Sequence, residues 1–274
     1  MATLHAVTPF GALLRSWRRE RGLSQLDLAL TADTTPRHVS FLETGRSRPS
    51  REMVLRLAEA LDIGLRDRNH LLERAGLAAI YPREDLRGAS LRPFEQAIGR
   101  LLDAHEPYPG LVIDGHWNVI AANHGATTLF GADLVATNLI RRLYGEPAVR
   151  ELTVNFADVA WASLERLRHE RRQAPLDDEL RALVEFAEAA IADLPRPAEP
   201  PAELVICPDF RIGDLIVRTV SMIARFDTAR ELTLDELQIE LTYPRDEAAE
   251  RFFHQRRADA GSARRDRTSD HRVP

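Results

Sequence analysis

A chain of 274 residues with 44% hydrophobic content has room for two domains with a core each, and its single cysteine, Cys207, excludes a disulfide framework or a clustered-cysteine metal site. No apolar run reaches the roughly 18 residues needed to span a bilayer, and Met1 to Pro9 lacks the basic and apolar regions of a secretory signal, so a cytoplasmic chain without a membrane span is expected. The net charge of −5 is spread unevenly: 14 Arg face 11 acids over residues 1–88, 17 face 28 over 89–253, and 6 face 3 over 254–274.

A polyanion is therefore attracted by the N-terminal part and repelled by the middle, which should bind something else. All 37 basic residues are arginine, a bias expected of GC-rich bacterial coding and no guide to mechanism.

In chain order, Phe10, Leu13, Leu14 and Trp17 recur at helical spacing, and Gly22 is placed to close that first helix. Ser24 is an N-cap for a second helix carrying Gln25, Leu26, Leu28 and Ala29, with a tight turn expected near Ala32 to Thr34. Thr34 or Thr35 can cap a third helix, with Pro36 in its first turn, where a missing N–H costs nothing. That helix, read as Pro36 to Thr44 and ended by Gly45, buries Val39 and Leu42 and leaves Arg37, His38, Ser40 and Phe41 facing outward. Ser50 opens a fourth helix through Leu61, and Asp67 to Ala75, closed by Gly76, forms a fifth.

Two short helices around a tight turn suit major-groove entry, so double-stranded DNA is the expected macromolecular partner. Arg37 is the base reader of choice, because a guanidinium donates bidentately to guanine. His38 and Ser40 are weaker candidates, and Thr35 and Phe41 complete the surface. Gln25, Arg46 and Arg48 fall where phosphate contacts set orientation. Glu43 is expected to pair inside the protein. Together, residues 10–75 resemble the lambda-repressor-like (XRE) helix-turn-helix domain.

A narrower resemblance rests on Arg37, His38, Val39 and Ser40, Pro49, Ser50, Arg51, Met53, Val54 and Leu55, Leu65 to Asn69, Leu71, Leu72, Ala75, Gly76 and Tyr81. It continues through His105, Pro107, Tyr108, Pro109, Val112, Asp114, Trp117, Asn118, Val119 and Asn123. These residues are similar to those of the MmyB-like regulators, to about residue 130. The resemblance implies a PAS-like second domain and a fatty acyl chain as the class of ligand.

The residues of that region support an α+β reading. Tyr81 to Ser90 is a plausible linker, and Leu91, Phe94, Ile98, Leu101 and Leu102 form a helical stripe. Leu111 to Ile113, a turn at Asp114 to His116, and Trp117, Val119 and Ala121 read as a hairpin. Two or three helices follow, then a proline-rich loop at Pro195 to Pro201. Strands are expected at Leu204 to Ile206, Leu215 to Arg225 and Leu232 to Leu241. The expected chain is thus a five-helix all-α DNA-binding domain (1–80), a linker (81–90), an α+β PAS-like domain with a mainly antiparallel sheet (91–253) and a disordered tail (254–274).

An apolar cavity in that second domain is expected near Trp117, Phe130, Tyr144, Phe156, Trp161, Phe210 and Met222. For each, core packing is the competing role. A ligand carboxylate needs a donor, and Arg141, Arg142, Tyr144 and Tyr108 remain open for it. No phosphate-cradling glycine loop, Gly-x-Ser-x-Gly elbow or His-Glu-x-x-His pair is present, so no catalytic residues are expected. His105, His116 and His124 lack ligand spacing, so neither a metal nor a cofactor is expected beyond a bound fatty acid or other hydrophobic ligand. The expected function is a transcriptional regulator, a repressor and homodimer, sensing a hydrophobic small molecule. One rival is a second domain that serves only dimerisation or protein interaction; the other is an enzyme acting on acyl substrates.

Overall fold

The computed structural model describes residues 9–196 and 205–269, with side-chain environments to Arg257 and Ala258. The chain divides into two compact units, Met1–Arg83 with Ala229–Leu232, and Glu84–Thr228 with Thr233–Pro274.

The first unit is a bundle of five helices: α1 (Pro9–Glu20), α2 (Gln25–Thr31), α3 (Pro36–Glu43), α4 (Arg51–Ala60) and α5 (Leu65–Arg74). The expected caps are in place. Ser24 Oγ accepts from the Asp27 N–H while the Asp27 carboxylate accepts from the Ser24 N–H, a reciprocal capping box. Thr35 Oγ1 accepts from His38 N–H, and Ser50 Oγ from Met53 N–H. Gly22, Gly45 and Gly76 follow their helices at φ of 67°, 74° and 76°, backbone that a side chain would strain.

Phe10, Leu14, Trp17, Leu28, Val39, Leu42, Val54, Leu57, Leu71 and Leu72 are fully buried together. Each such side chain contributes about 1.5–3 kcal/mol relative to exposure. Gly11 is where α1 crosses α3 most closely: a Cβ there would lie 2.6 Å from the Leu42 carbonyl oxygen and 2.7 Å from that of Glu43.

The second unit opens with α6 (Arg92–Ala104) and the hairpin β1 (Gly110–Ile113) and β2 (Val119–Ala122). Asp114 Oδ1 fixes its turn by accepting from the N–H groups of His116 and Asn118. Five helices follow where two or three are expected: α7 (His124–Phe130), α8 (Leu139–Gly145), α9 (Pro147–Leu152), α10 (Phe156–Gln173) and α11 (Asp178–Ala190). Asparagine caps start α7 and α8, at Asn123 and Asn138, dividing what reads as a continuous apolar pattern.

The remaining strands are β3 (Asp209–Ile212), β4 (Leu215–Ala224) and β5 (Gln238–Pro244), with α12 (Leu232–Glu236) before β5 and α13 (Glu247–Ser269) after it. The sheet is antiparallel throughout, in the order β2-β1-β5-β4-β3. Residues 232–241 are thus not one strand: Leu232, Thr233 and Leu234 alternate, yet they begin a one-turn helix. Residues 205–206 are not in a strand either, and Leu204 lies outside the described residues, as does most of the proline-rich loop. The segment expected to be a disordered tail continues α13 to Ser269; the start of that helix packs through Ala249 and Phe253 against Phe210 and Val217. Residues 270–274 lie outside the description. Among the described residues no helix is long and apolar enough to cross a membrane.

Asn123 ties this unit together. Its Oδ1 accepts from Gly110 N–H and Ala126 N–H, both at 2.9 Å, and its Nδ2 donates to the carbonyls of Tyr108 at 2.8 Å and Leu102 at 3.2 Å. One buried side chain thereby joins α6, β1 and α7. The three histidines go to separate tasks. His105 Nε2 meets the Thr242 carbonyl at 2.9 Å, His116 lies between Asp177 and Glu179, and His124 is exposed.

Candidate functional site

The outward face of α3 is built by what its inward face buries. Val39 and Leu42 pack into the core, and Glu43, fully buried, collects three partners from α1 and α2. Arg18 Nε donates to its Oε1 at 2.6 Å, Gln25 Nε2 to its Oε2 at 2.8 Å and Arg15 Nε to Oε2 at 3.3 Å. The internal pairing expected of Glu43 is present. Burial pushes the Glu43 carboxyl up, but the hydrogen bonds from Arg18 and Gln25, the Arg18 charge and Arg15 together hold it below its ordinary range.

Arg37, Arg46 and Arg48 are exposed. The Arg37 guanidinium lies 5.2 Å from the centroid of the Phe41 ring and that of Arg46 5.8 Å from it, so one half-buried aromatic orients two cations. His38 Nδ1 meets Thr34 Oγ1 at 3.0 Å, which leaves Thr35 as the backbone cap. Ser40 is half-buried, its carbonyl accepting from Thr44 Oγ1 at 2.7 Å. Gln25, expected beside phosphate, spends an amide N–H on Glu43 inside the bundle.

In the second unit a cavity of about 490 Å³, partly open to solvent, is lined by α7 to α10, by strand residues and by the segment 205–208, within the range of small-molecule sites, about 300–1,000 Å³. Aliphatic side chains, among them Leu111, Leu134, Leu139, Leu143, Val149 and Leu152, supply much of its wall, with Glu146, Arg166, Glu240 and Thr242 as polar members. Of the expected residues, Trp117, Phe130 and Phe210 line it; Phe130 and Phe210 meet edge to face, 5.4 Å between centroids.

The others stand elsewhere. Tyr108 packs against Tyr243, Phe253 and His254. Tyr144 donates its hydroxyl to the Ala160 carbonyl at 2.5 Å, and burial pushes its pKa up. Phe156 is in the core with Arg150 over its ring, Trp161 Nε1 donates to the Pro195 carbonyl, Arg141 is exposed over Phe186, and Met222 is exposed. Bulk and aromaticity select the core here as readily as the cavity.

Sequence reasoning overlooked Arg166 and Cys207 as wall residues and left Arg142 undistinguished from Arg141. Arg142 shares the lining with Leu139, three residues before it on the same helix face, and with Leu143, which follows Leu139 by four. Cys207 is buried in the wall, its Sγ accepting from Ser221 N–H at 3.1 Å.

Comparison with known proteins gives two family matches. The family model described as the MmyB-like transcription regulator ligand binding domain matches residues 94–255, and a helix-turn-helix model matches residues 14–67. No curated protein matches the chain. Among solved structures, the chain is similar to the clp gene regulator ClgR from C. glutamicum, at 32% identity over 25% of this chain and 86% of that one, with a TM-score of 0.23. With one model covering well over half of its residues and a second covering the bundle in front of them, the chain belongs to the MmyB-like transcription regulators, as a DNA-binding helix-turn-helix protein with a ligand-binding domain.

Proposed function

We propose that this regulator represses transcription as a homodimer and that the cavity of its second unit takes a fatty acid or another hydrophobic small molecule, which changes DNA occupancy without catalysis. The observation that carries the reading is the cavity of about 490 Å³ walled by aliphatic side chains. Each methylene that enters such a wall contributes about 0.8 kcal/mol. An acyl chain thus reaches a gross gain of about 10 kcal/mol before ordering costs. The family match to a ligand-binding domain supports the same assignment.

Repression relieved by ligand requires that ligand bind the DNA-competent and DNA-incompetent states with different affinity. One helix-turn-helix reads a short half-site, so a two-fold dimer on a palindromic operator is the geometric complement. Base reading is assigned to Arg37, with His38, Ser40 and Phe41 beside it, and phosphate contact to Arg46 and Arg48. Native mass spectrometry of protein purified without added lipid, followed by titration with fatty acids, tests the ligand. A retained or titratable acyl molecule is expected. Protein that takes up none would turn the reading toward a dimerisation or protein-interaction module.

A further inference from the structure

We propose that Arg142 is the head-group anchor of the cavity and that the occupant is an amphiphile ending in a carboxylate. The inference rests on the reading of the cavity as a small-molecule site. Two guanidinium groups stand in its wall, and they differ in what their N–H groups do.

Arg166 is fully engaged. Its Nη1 donates to Glu240 Oε1 at 2.7 Å, its Nη2 to Gln238 Oε1 and its Nε to Glu170 Oε1 at 3.3 Å, while its plane lies 4.1 Å from the Trp117 ring centroid. It is a strut between α10 and β5. Arg142 Nη2 donates to the Phe130 carbonyl at 2.7 Å, closing α7, and its Nε lies 3.3 Å from Glu146 Oε2. Its Nη1 is buried and makes no hydrogen bond among the described residues; Asp133 Oδ1, 3.5 Å away, acts on it through charge alone.

A buried donor without an acceptor is costly, and native structures leave few of them. The acceptor that suits a guanidinium is a planar pair of oxygens carrying negative charge. Both acids beside Arg142 stand in solvent, Asp133 78% and Glu146 48% exposed, whereas the Arg142 side chain is 14% exposed. Water screens the acids more than it screens the guanidinium. Two carboxylates also line the cavity, Glu240, held by Arg166, and Glu146, held by the Nε of Arg142, so Nη1 is the donor left for a ligand; the wall beside it is Leu139, Leu143, Val149 and Leu152, surface for an alkyl chain. Arg141, the adjacent residue, stacks on Phe186 and does not line the cavity.

Calorimetric titration of the full chain with dodecanoic acid, its methyl ester, dodecanol and dodecylamine at neutral pH tests the assignment, on wild type and on the Arg142→Met and Arg141→Met variants. Wild type is expected to bind the acid about 10–100-fold more tightly than the ester or alcohol, and the amine least. Arg142→Met is expected to bind acid and alcohol alike, and Arg141→Met to keep the wild-type preference. Should Arg142→Met fail to fold, Arg142→Gln takes its place, with the same loss of acid preference expected. Equal binding of acid, ester, alcohol and amine would overturn the anchor while leaving the cavity reading intact, and so would an acid preference that survives in Arg142→Met. Binding of none of the four would overturn the cavity reading and the anchor with it.

Discussion

Arg18 grips Glu43 with two nitrogens, Nε to Oε1 at 2.6 Å and Nη2 to Oε2 at 3.1 Å, and so fastens α1 to the last residue of α3. The pair is buried, with side-chain exposures of 11% and 1%. Removing one member leaves the other charge uncompensated, so Glu43→Ala should cost about 3–5 kcal/mol. Urea denaturation followed by circular dichroism measures it, and operator binding should be lost with the fold of the first unit.

The same carboxylate makes stability depend on acid. Because its folded-state pKa lies below the ordinary 4.5, its contribution is fully present above about that pH and disappears as pH falls through the folded value. Glu43→Gln should therefore show a flatter decline in unfolding free energy between neutral pH and the acid range than wild type does.

Gly11 gives a steric test of the α1–α3 crossing. The added methyl of Gly11→Ala would meet two backbone carbonyl oxygens inside 3 Å, neither able to swing away, so the helices must separate. A loss of about 1–3 kcal/mol is expected, as for other overpacked interiors, read as a lowered thermal midpoint.

On the outer face of α3, proposed above to read DNA, Arg37→Ala should abolish base preference at one position in a binding-site selection while leaving salt-sensitive affinity. Arg46→Ala and Arg48→Ala should instead weaken all duplexes alike, each lowering the salt slope by about 1. Phe41→Ala releases both guanidinium groups that it orients and should combine the two effects.

Much of the first unit is legible in its sequence because caps and terminators are local: Ser24, Thr35, Pro36, Ser50 and Gly22 act within a few residues of themselves. The hairpin at Gly110–Ala122 reads for the same reason. What escapes is set by distance along the chain. Leu232 to Glu236 is too short for a period of two to be told from one of 3.6. Gly11 carries no local sign that α3 lies against it. The cavity wall is drawn from segments a hundred residues apart, so large aromatics such as Tyr144 and Phe156 read as candidates while Ala162, Cys207 and Val149 do not. Arg142 and Arg141 are adjacent in sequence, and only the helix phase of α8 separates them.

Filling the cavity separates ligand response from DNA binding. Ala162 lies on α10 in the wall, and Ala162→Trp should occupy the space an acyl chain needs. Such a protein is expected to fold, to bind operator, and to give no heat on titration with dodecanoic acid.

Fluorescence anisotropy of the full chain, on a selected duplex and a scrambled one at physiological ionic strength, with and without dodecanoic acid, tests the central claim most directly. Binding to the selected duplex should be tighter by at least about 1,000-fold, and the acid should change that affinity by at least about fivefold. Equal affinity for both duplexes, unaltered by the acid, would contradict the account.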